Sequence, residues 1–86
     1  MITTIDELVR LDPMNAKAEE ILELGLKYCL GQGVQKSLVE AHKWFNISAL
    51  KGNVAAKSYR CELAQEMSSA EIAEAQRQAR ALITFH

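Results

Sequence analysis

The sequence has few of the residues that interrupt helices, with one proline and four glycines among its 86 residues. Aromatic residues are also scarce at 6%, and alanine and leucine supply much of the 49% hydrophobic content. Few helix breakers, together with many Ala, Leu, Glu, Lys and Gln residues, favour helix by intrinsic propensity. We therefore predict an all-α protein, and its length is that of one small domain, residues 1–86.

No charge of one sign and no long apolar segment dominates the chain. Ten basic and eleven acidic residues give a net charge of −1, and no cluster of Lys and Arg forms the basic patch that nucleic-acid binding needs. No apolar run approaches the roughly 18 residues that span a bilayer. The first residues lack the basic and apolar regions of a secretory signal peptide. We therefore expect a cytoplasmic protein without a nucleic-acid or membrane partner.

Residues that commonly catalyse reactions or bind metals are few: two cysteines, Cys29 and Cys61, and two histidines, His42 and His86. No Cys-x-x-Cys or His-Glu-x-x-His spacing is present, and His42 has no Ser, Cys or Asp beside it at a catalytic spacing. We interpret His42 as a partly exposed helical residue and both cysteines as reduced thiols on inward faces. A Cys29–Cys61 disulfide stays open. The prediction is a protein that is not an enzyme and has no cofactor or metal.

Capping signals divide the chain into helices. A Ser/Thr-x-x-Glu box at Thr4 opens a short capping helix within residues 1–12, and Asp12 with Pro13 marks the start of the next helix. The later helices are capped by Ser37, Asn53 and Ser68, and the predicted spans include Asn15–Leu30, Asn53–Met67 and Ser69–Ile83. Apolar spacing puts Ala56, Tyr59, Leu63, Ala64 and Met67 inward, and leaves Leu26, Ile47, Leu50 and Phe85 as exposed candidates. Because the connections are short, consecutive helices are expected to lie antiparallel and adjacent.

Residues 24–49 are the most informative part of the sequence. A helix face with a small residue is followed by the turn Gly31-Gln32-Gly33-Val34, and then by a second helix face with large aromatic residues. Glycine suits the positive φ of a helix C-cap, and small residues let paired helices approach closely. The pattern predicts a helical hairpin. A weaker copy follows, in which Ala75 takes the place of Ala41, so residues 14–52 are a first full repeat and residues 53–86 a second, degenerate repeat and C-terminal cap.

This first unit resembles the Sel-one-like repeat family, a relative of the tetratricopeptide repeats. The resemblance depends on Leu24, Gly25, Tyr28, Gly31, Gly33, Ala41, Trp44, Phe45 and Gly52. It implies a short solenoid of α-α hairpins, wound as a right-handed superhelix, with about two repeats and a flanking capping helix. It also implies an adaptor or scaffold that binds a partner protein or peptide on the concave surface formed by the first helix of each hairpin. Outward polar residues on those helices are the candidate contacts: Glu19, Glu23, Lys27, Lys57 and Glu62.

Alternatives stay open for the function, for the role of Trp44 and for the role of the helix-face carboxylates. A domain with so few repeats has apolar ends that a homodimer would bury. The last two helices are also a candidate helix-turn-helix DNA-binding module, against which the net charge argues. Trp44 is interpreted as core rather than as a ligand-stacking residue. The helix-face carboxylates either present an acidic groove to a basic peptide or form a solvated face: Glu19, Glu20, Glu23, Glu62 and Glu66.

Overall fold

The computed structural model of the chain describes residues 15–84, which form four α-helices and no strand. The helices are α1 (Ala18–Leu30), α2 (Leu38–Leu50), α3 (Val54–Ala64) and α4 (Ser69–Thr84). The all-α prediction is confirmed for this part of the chain. The capping helix predicted within residues 1–12, the helix start at Asp12 and Pro13, and the residues Phe85 and His86 lie outside the described residues.

α1 begins at Ala18, later than the Asn15 start that the sequence indicated. Lys17 is in an extended conformation, with φ −72° and ψ 150°, and its backbone N–H donates to the Glu20 carboxylate at 2.8 Å. A helix leaves its first N–H groups without intrahelical partners, so a carboxylate that accepts here stabilises the helix start. The negative charge of Glu20 also interacts favourably with the helix dipole.

The glycine turn after α1 forms as predicted. Gly31 and Gly33 have φ values of 70° and 77°, in the left-handed region that glycine adopts without strain. At the end of the turn, the Ser37 N–H donates to the Tyr28 carbonyl at 3.1 Å, and the Ser37 hydroxyl accepts from the Glu40 N–H at 3.2 Å. Ser37 therefore caps α2 and also fastens its start to the end of α1.

α3 and α4 begin at the caps that the sequence predicted. The Asn53 side chain accepts from the Ala56 N–H at 2.9 Å, and Ser68 with Glu71 forms a complete capping box, with bonds of 2.8 and 3.1 Å. α3 nevertheless ends before the expected Met67. The N–H groups of residues 65–67 donate to carbonyls three residues earlier, which tightens the chain into turns after the helix.

α2 is the central helix, because it packs against α1, α3 and α4. Its buried residues occupy all of its sides: Ala41, His42, Lys43, Trp44, Phe45, Ile47 and Ser48. The Ser48 hydroxyl donates to the Ala18 carbonyl at 2.7 Å and joins α2 to the start of α1. Two expectations are corrected here, since His42 and Ile47 are each 2% exposed rather than at the surface. The expectation failed because α2 has neighbours on three sides, whereas an amphipathic surface helix has an exposed face.

Two apolar clusters fill the space around α2. The first contains Ala16, Ile21, Leu24, Trp44, Ile47 and Ala79, and the second contains Ala41, Phe45, Leu63, Met67 and Ala75. Trp44 is 8% exposed, which confirms it as a core residue. Leu50 at the end of α2 is 65% exposed, as expected.

α3 and α4 do not form the predicted second hairpin. Each packs on α2, and the two make at most marginal contact with each other. The buried residues within α3 are Ala56 and Leu63, seven residues apart, and they form one narrow line that leaves no second apolar face for α4. Ala75 and Ala79 are fully buried, and their small side chains let α4 approach the central clusters directly.

Candidate functional site

Phe45 lies between α1 and α3, which make at most marginal contact with each other. On the α1 side, a Cβ atom at Gly25 would lie 2.6 Å from the Phe45 ring, so the helix backbone lies directly against that ring. On the α3 side, the Tyr59 ring stacks on Phe45 with 5.5 Å between centroids and 24° between planes. Phe45 is 1% exposed. One buried aromatic ring therefore supports both outer helices.

Tyr59 is 40% exposed, although the sequence predicted an inward side chain. Tyr59 lines a shallow groove of about 430 Å³ together with Ala55, Ser58 and Glu62. These four residues, here called the Tyr59 surface, have the spacing i, i+3, i+4 and i+7 of one helix face. That spacing is readable in the sequence, but the inward assignment of Tyr59 hid it, and Ala55 and Ser58 were not predicted. A partly exposed tyrosine offers apolar area and a polar tip.

α1 presents two leucines towards the cluster that contains Phe45. Leu22 and Leu26 are half-buried and pack against this cluster, so the expectation that Leu26 is exposed is wrong. Glu19 and Glu23 are exposed, and each lies three residues before one of these leucines. Residues three apart are neighbours on a helix surface, so both carboxylates lie on the leucine side of α1.

The five predicted partner contacts do not share one surface. Glu62 lines the groove of the Tyr59 surface, whereas Lys57 lines a separate groove of about 290 Å³ that includes Val54. The two residues are five positions apart, which turns their side chains about 140° from each other on a helix. On α1, Lys27 lies four positions after Glu23, so these two side chains are neighbours on one side of the helix. The structure thus places Glu19, Glu23 and Lys27 along one side of α1 and separates Lys57 from Glu62 on α3.

Exposed carboxylates accompany the Tyr59 surface. Glu62 is part of it, and Glu66, also exposed, follows four residues later in the turns after α3. The basic residues of α3 are directed elsewhere, since Arg60 donates to the Asn46 side chain at 2.6 Å and Lys57 lines the other groove. The Tyr59 side of α3 therefore carries negative charge.

Glu40 organises a polar cluster at the start of α2. Its carboxylate accepts from the Trp44 indole N–H at 3.2 Å and pairs with the Lys43 ammonium at 2.7 Å. The ammonium also lies 4.9 Å from the Trp44 ring centroid, within range of a cation–π interaction. These contacts explain how Lys43 is accommodated at 9% exposure. Burial, and secondly the negative charge of Glu40, raise the pKa of Tyr28.

His42 is a buried titratable group on α2. Its Nδ1 atom is buried without a hydrogen-bond partner within the described residues. Burial, and secondly the positive charge of Arg60, lower the pKa of His42 from 6.5. The imidazole is therefore held in its neutral form more strongly than in an unfolded chain.

Cys29 and Cys61 are free thiols, the first half-buried and the second exposed. The inward prediction for Cys61 is wrong, because it lies five positions after the buried Ala56 and so on another side of α3. Within residues 15–84, no group of three or more His, Cys, Asp or Glu side chains is arranged to hold a metal ion.

Comparison with known proteins gives no match to a protein-family model, to a curated protein or to a solved structure. No helix in the described part of the chain is long and apolar enough to cross a membrane. The Tyr59 surface combines a groove, a partly exposed aromatic side chain and negative charge.

Proposed function

We propose that the chain is a protein-interaction module, an adaptor or scaffold that binds a partner protein or peptide at the Tyr59 surface. The observation that carries the proposal is the pairing of Tyr59 with Phe45. Tyr59 is 40% exposed in a groove, while its ring is stacked on a buried neighbour. A rigid aromatic side chain loses little conformational freedom when a partner packs on it, so more of the contact energy remains as affinity.

We also propose that the module is a Sel-one-like repeat, a short α-α hairpin solenoid. Support comes from the roles of its signature residues. The backbone at Gly25 lies against Phe45, Gly31 and Gly33 adopt left-handed conformations in the turn, and Ala41 is fully buried. One complete hairpin, α1 with α2, is present, and α3 and α4 pack on it separately. In this proposal Glu19 and Glu23 contribute the α1 side of the partner surface.

A site-specific photo-crosslinker tests the proposed surface. Ser58 lies in the groove and Gln76 is exposed on α4, so a photoreactive amino acid at each position compares the Tyr59 surface with an exposed position on another helix. After irradiation in cells of the source organism, we expect a discrete heavier adduct from position 58 and none from position 76. Adducts of equal yield from both positions, or from position 76 alone, would contradict the assignment of the surface.

Self-association is the second candidate function, and it is favoured by two exposed apolar side chains where α2 leads into α3. Leu50 is 65% exposed and Val54 is 79% exposed. Neighbouring exposed apolar groups often belong to an interface, and homodimers commonly bury such surfaces. A mass measurement in solution at rising concentration tests this candidate. A dimer that Leu50→Glu and Val54→Lys each convert to monomer would support it, whereas a monomer at all concentrations would exclude it.

A further inference from the structure

The charge around the Tyr59 surface restricts the kind of partner that fits it. On α1, Glu19 and Glu23 lie on the leucine side, and the single cation Lys27 follows Glu23 by one helical turn. Glu62 lines the groove on α3, and Glu66 follows four residues later in the turns after α3. All four carboxylates are exposed, and Leu22, Leu26 and Tyr59 connect both helices to the cluster that contains Phe45. Since carboxylates of one sign repel an acidic ligand and attract a basic one, complementarity calls for a partner segment with excess positive charge.

The chain itself offers two candidate occupants, its residues before Asn15 and a second copy, and neither has an excess of positive charge. The residues before Asn15 contain three acidic side chains, Asp6, Glu7 and Asp12, against the single basic Arg10. A second copy of the chain has a net charge of −1. Neither supplies an excess of positive charge to the four carboxylates.

We propose that the Tyr59 surface binds a cationic peptide segment with an apolar anchor. This inference rests on the proposed function and adds the chemistry of the partner. One apolar side chain of the segment packs on the exposed part of the Tyr59 ring, above the Phe45 support. Lys or Arg side chains on either side of it pair with Glu62 on α3, with Glu66 just after α3, and with Glu19 and Glu23 on α1. A cation placed over the Tyr59 ring gains an additional attraction to its π face.

The test uses the full chain and a fluorescent amphipathic peptide made in three versions. The versions share the same leucines, and their polar face is lysine, glutamine or glutamate. Binding is measured by fluorescence anisotropy at low and at high ionic strength. We expect the order lysine, glutamine, glutamate, with the lysine version tightest and its advantage reduced by salt, because exposed charges are screened.

Two charge reversals locate the effect. Glu62→Lys changes the Tyr59 surface, whereas Glu74→Lys makes the same change in net charge on α4, where Glu74 pairs with Arg77 across an exposed helix face. We expect Glu62→Lys to weaken binding of the lysine peptide about fivefold at low salt and Glu74→Lys to change it less than about twofold. Tyr59→Ser should weaken all three versions, and circular dichroism checks that each variant is folded.

The possible results separate the proposed function from the partner chemistry. If Tyr59→Ser weakens all three peptides but the glutamate version binds as tightly as the lysine version, the surface binds peptides and the cationic preference is wrong. If Glu62→Lys and Glu74→Lys have equal effects, the attraction comes from overall charge and the proposed pairing is wrong. If no version responds to Tyr59→Ser, both the surface and the partner chemistry are wrong. A dimer that Tyr59→Ser converts to monomer would identify a second copy as the occupant and overturn the proposal.

Discussion

Gly25→Ala tests the contact between α1 and α2 with a single added methyl group. Alanine is a better helix former than glycine, by roughly 1 kcal/mol in a helix interior, so on propensity alone the change stabilises α1. The structure gives the opposite expectation. The new Cβ would lie 2.6 and 2.7 Å from two carbons of the Phe45 ring.

The steric term is expected to exceed the propensity term. These distances are about 1 Å shorter than the roughly 3.5–4.0 Å of favourable carbon–carbon contacts. The ring has little room to move away, because Phe45 is 1% exposed and Tyr59 stacks on its other side. Overpacking of a core costs about 1–3 kcal/mol. After the gain in helix propensity is subtracted, we expect Gly25→Ala to lower the free energy of unfolding by up to about 2 kcal/mol.

A double-mutant cycle with Phe45→Leu isolates the contact. Leucine replaces the flat ring with a smaller side chain, so in this background Gly25→Ala should become neutral or stabilising by up to about 1 kcal/mol. Urea unfolding followed by far-ultraviolet circular dichroism measures all four proteins. Gly52→Ala is the matched control. Gly52 has φ 104° and open space around its Cβ position, so its substitution costs backbone strain that Phe45→Leu cannot relieve.

The sign of the change in unfolding free energy tests the close contact between α1 and the Phe45 ring. If Gly25→Ala stabilises the protein with Phe45 intact, α1 and α2 do not approach as closely as described. If its effect is the same in both backgrounds, the strain does not come from the Phe45 ring. In either case it would be wrong that residue 25 is glycine because a side chain there would clash with the Phe45 ring.

Three further outcomes are expected. Trp44→Ala should cost about 3–5 kcal/mol, as loss of a large buried aromatic does, and an unchanged melting temperature would place Trp44 at the surface. Because the pKa of His42 is lowered on folding, the unfolded chain binds its proton first, so stability should fall as pH drops below about 6.5, by at most ~1.4 kcal/mol per pH unit. In His42→Gln that component should vanish, whereas an unchanged pH slope would refute the burial of His42. A thiol reagent should label Cys61 in the native protein much faster than Cys29, and equal rates would contradict the exposed position of Cys61.

The helices could be predicted from the sequence because their signals are local. Ser37, Asn53 and Ser68 each cap the helix that follows, and Gly31 adopts the positive φ that a helix C-cap favours. Errors at the ends also have local causes. The start of α1 depends on Glu20, whose carboxylate accepts from the backbone three residues earlier. The residue types do not signal this bond, because the N-cap residue is a lysine and not a Ser, Thr, Asp or Asn.

The sequence does not show which sides of each helix are buried, since this depends on how many other helices pack around it. The periodicity of α2 identified one face, with Ala41, Trp44 and Phe45, and that face is buried. It could not reveal that α2 packs against three helices and that His42 and Ile47 are buried as well. The inward prediction for Tyr59 failed for the same reason. The apolar spacing of α3 does not show which side stays exposed, and in the structure the side with Tyr59 lines a groove.

Phe45 links the stability of the helices to the candidate binding surface. The Phe45 ring leaves no room for a side chain at residue 25, and it also stacks against Tyr59. Substitutions of Phe45 should therefore alter both the free energy of unfolding and the binding affinity. Glu62 differs, because it is exposed in the groove and no described contact ties it to the core. Its substitutions should change binding while leaving unfolding within about 0.5 kcal/mol of the original protein. A surface used for binding predicts this separation between Phe45 and Glu62, whereas a merely solvated face predicts no binding effect at Glu62.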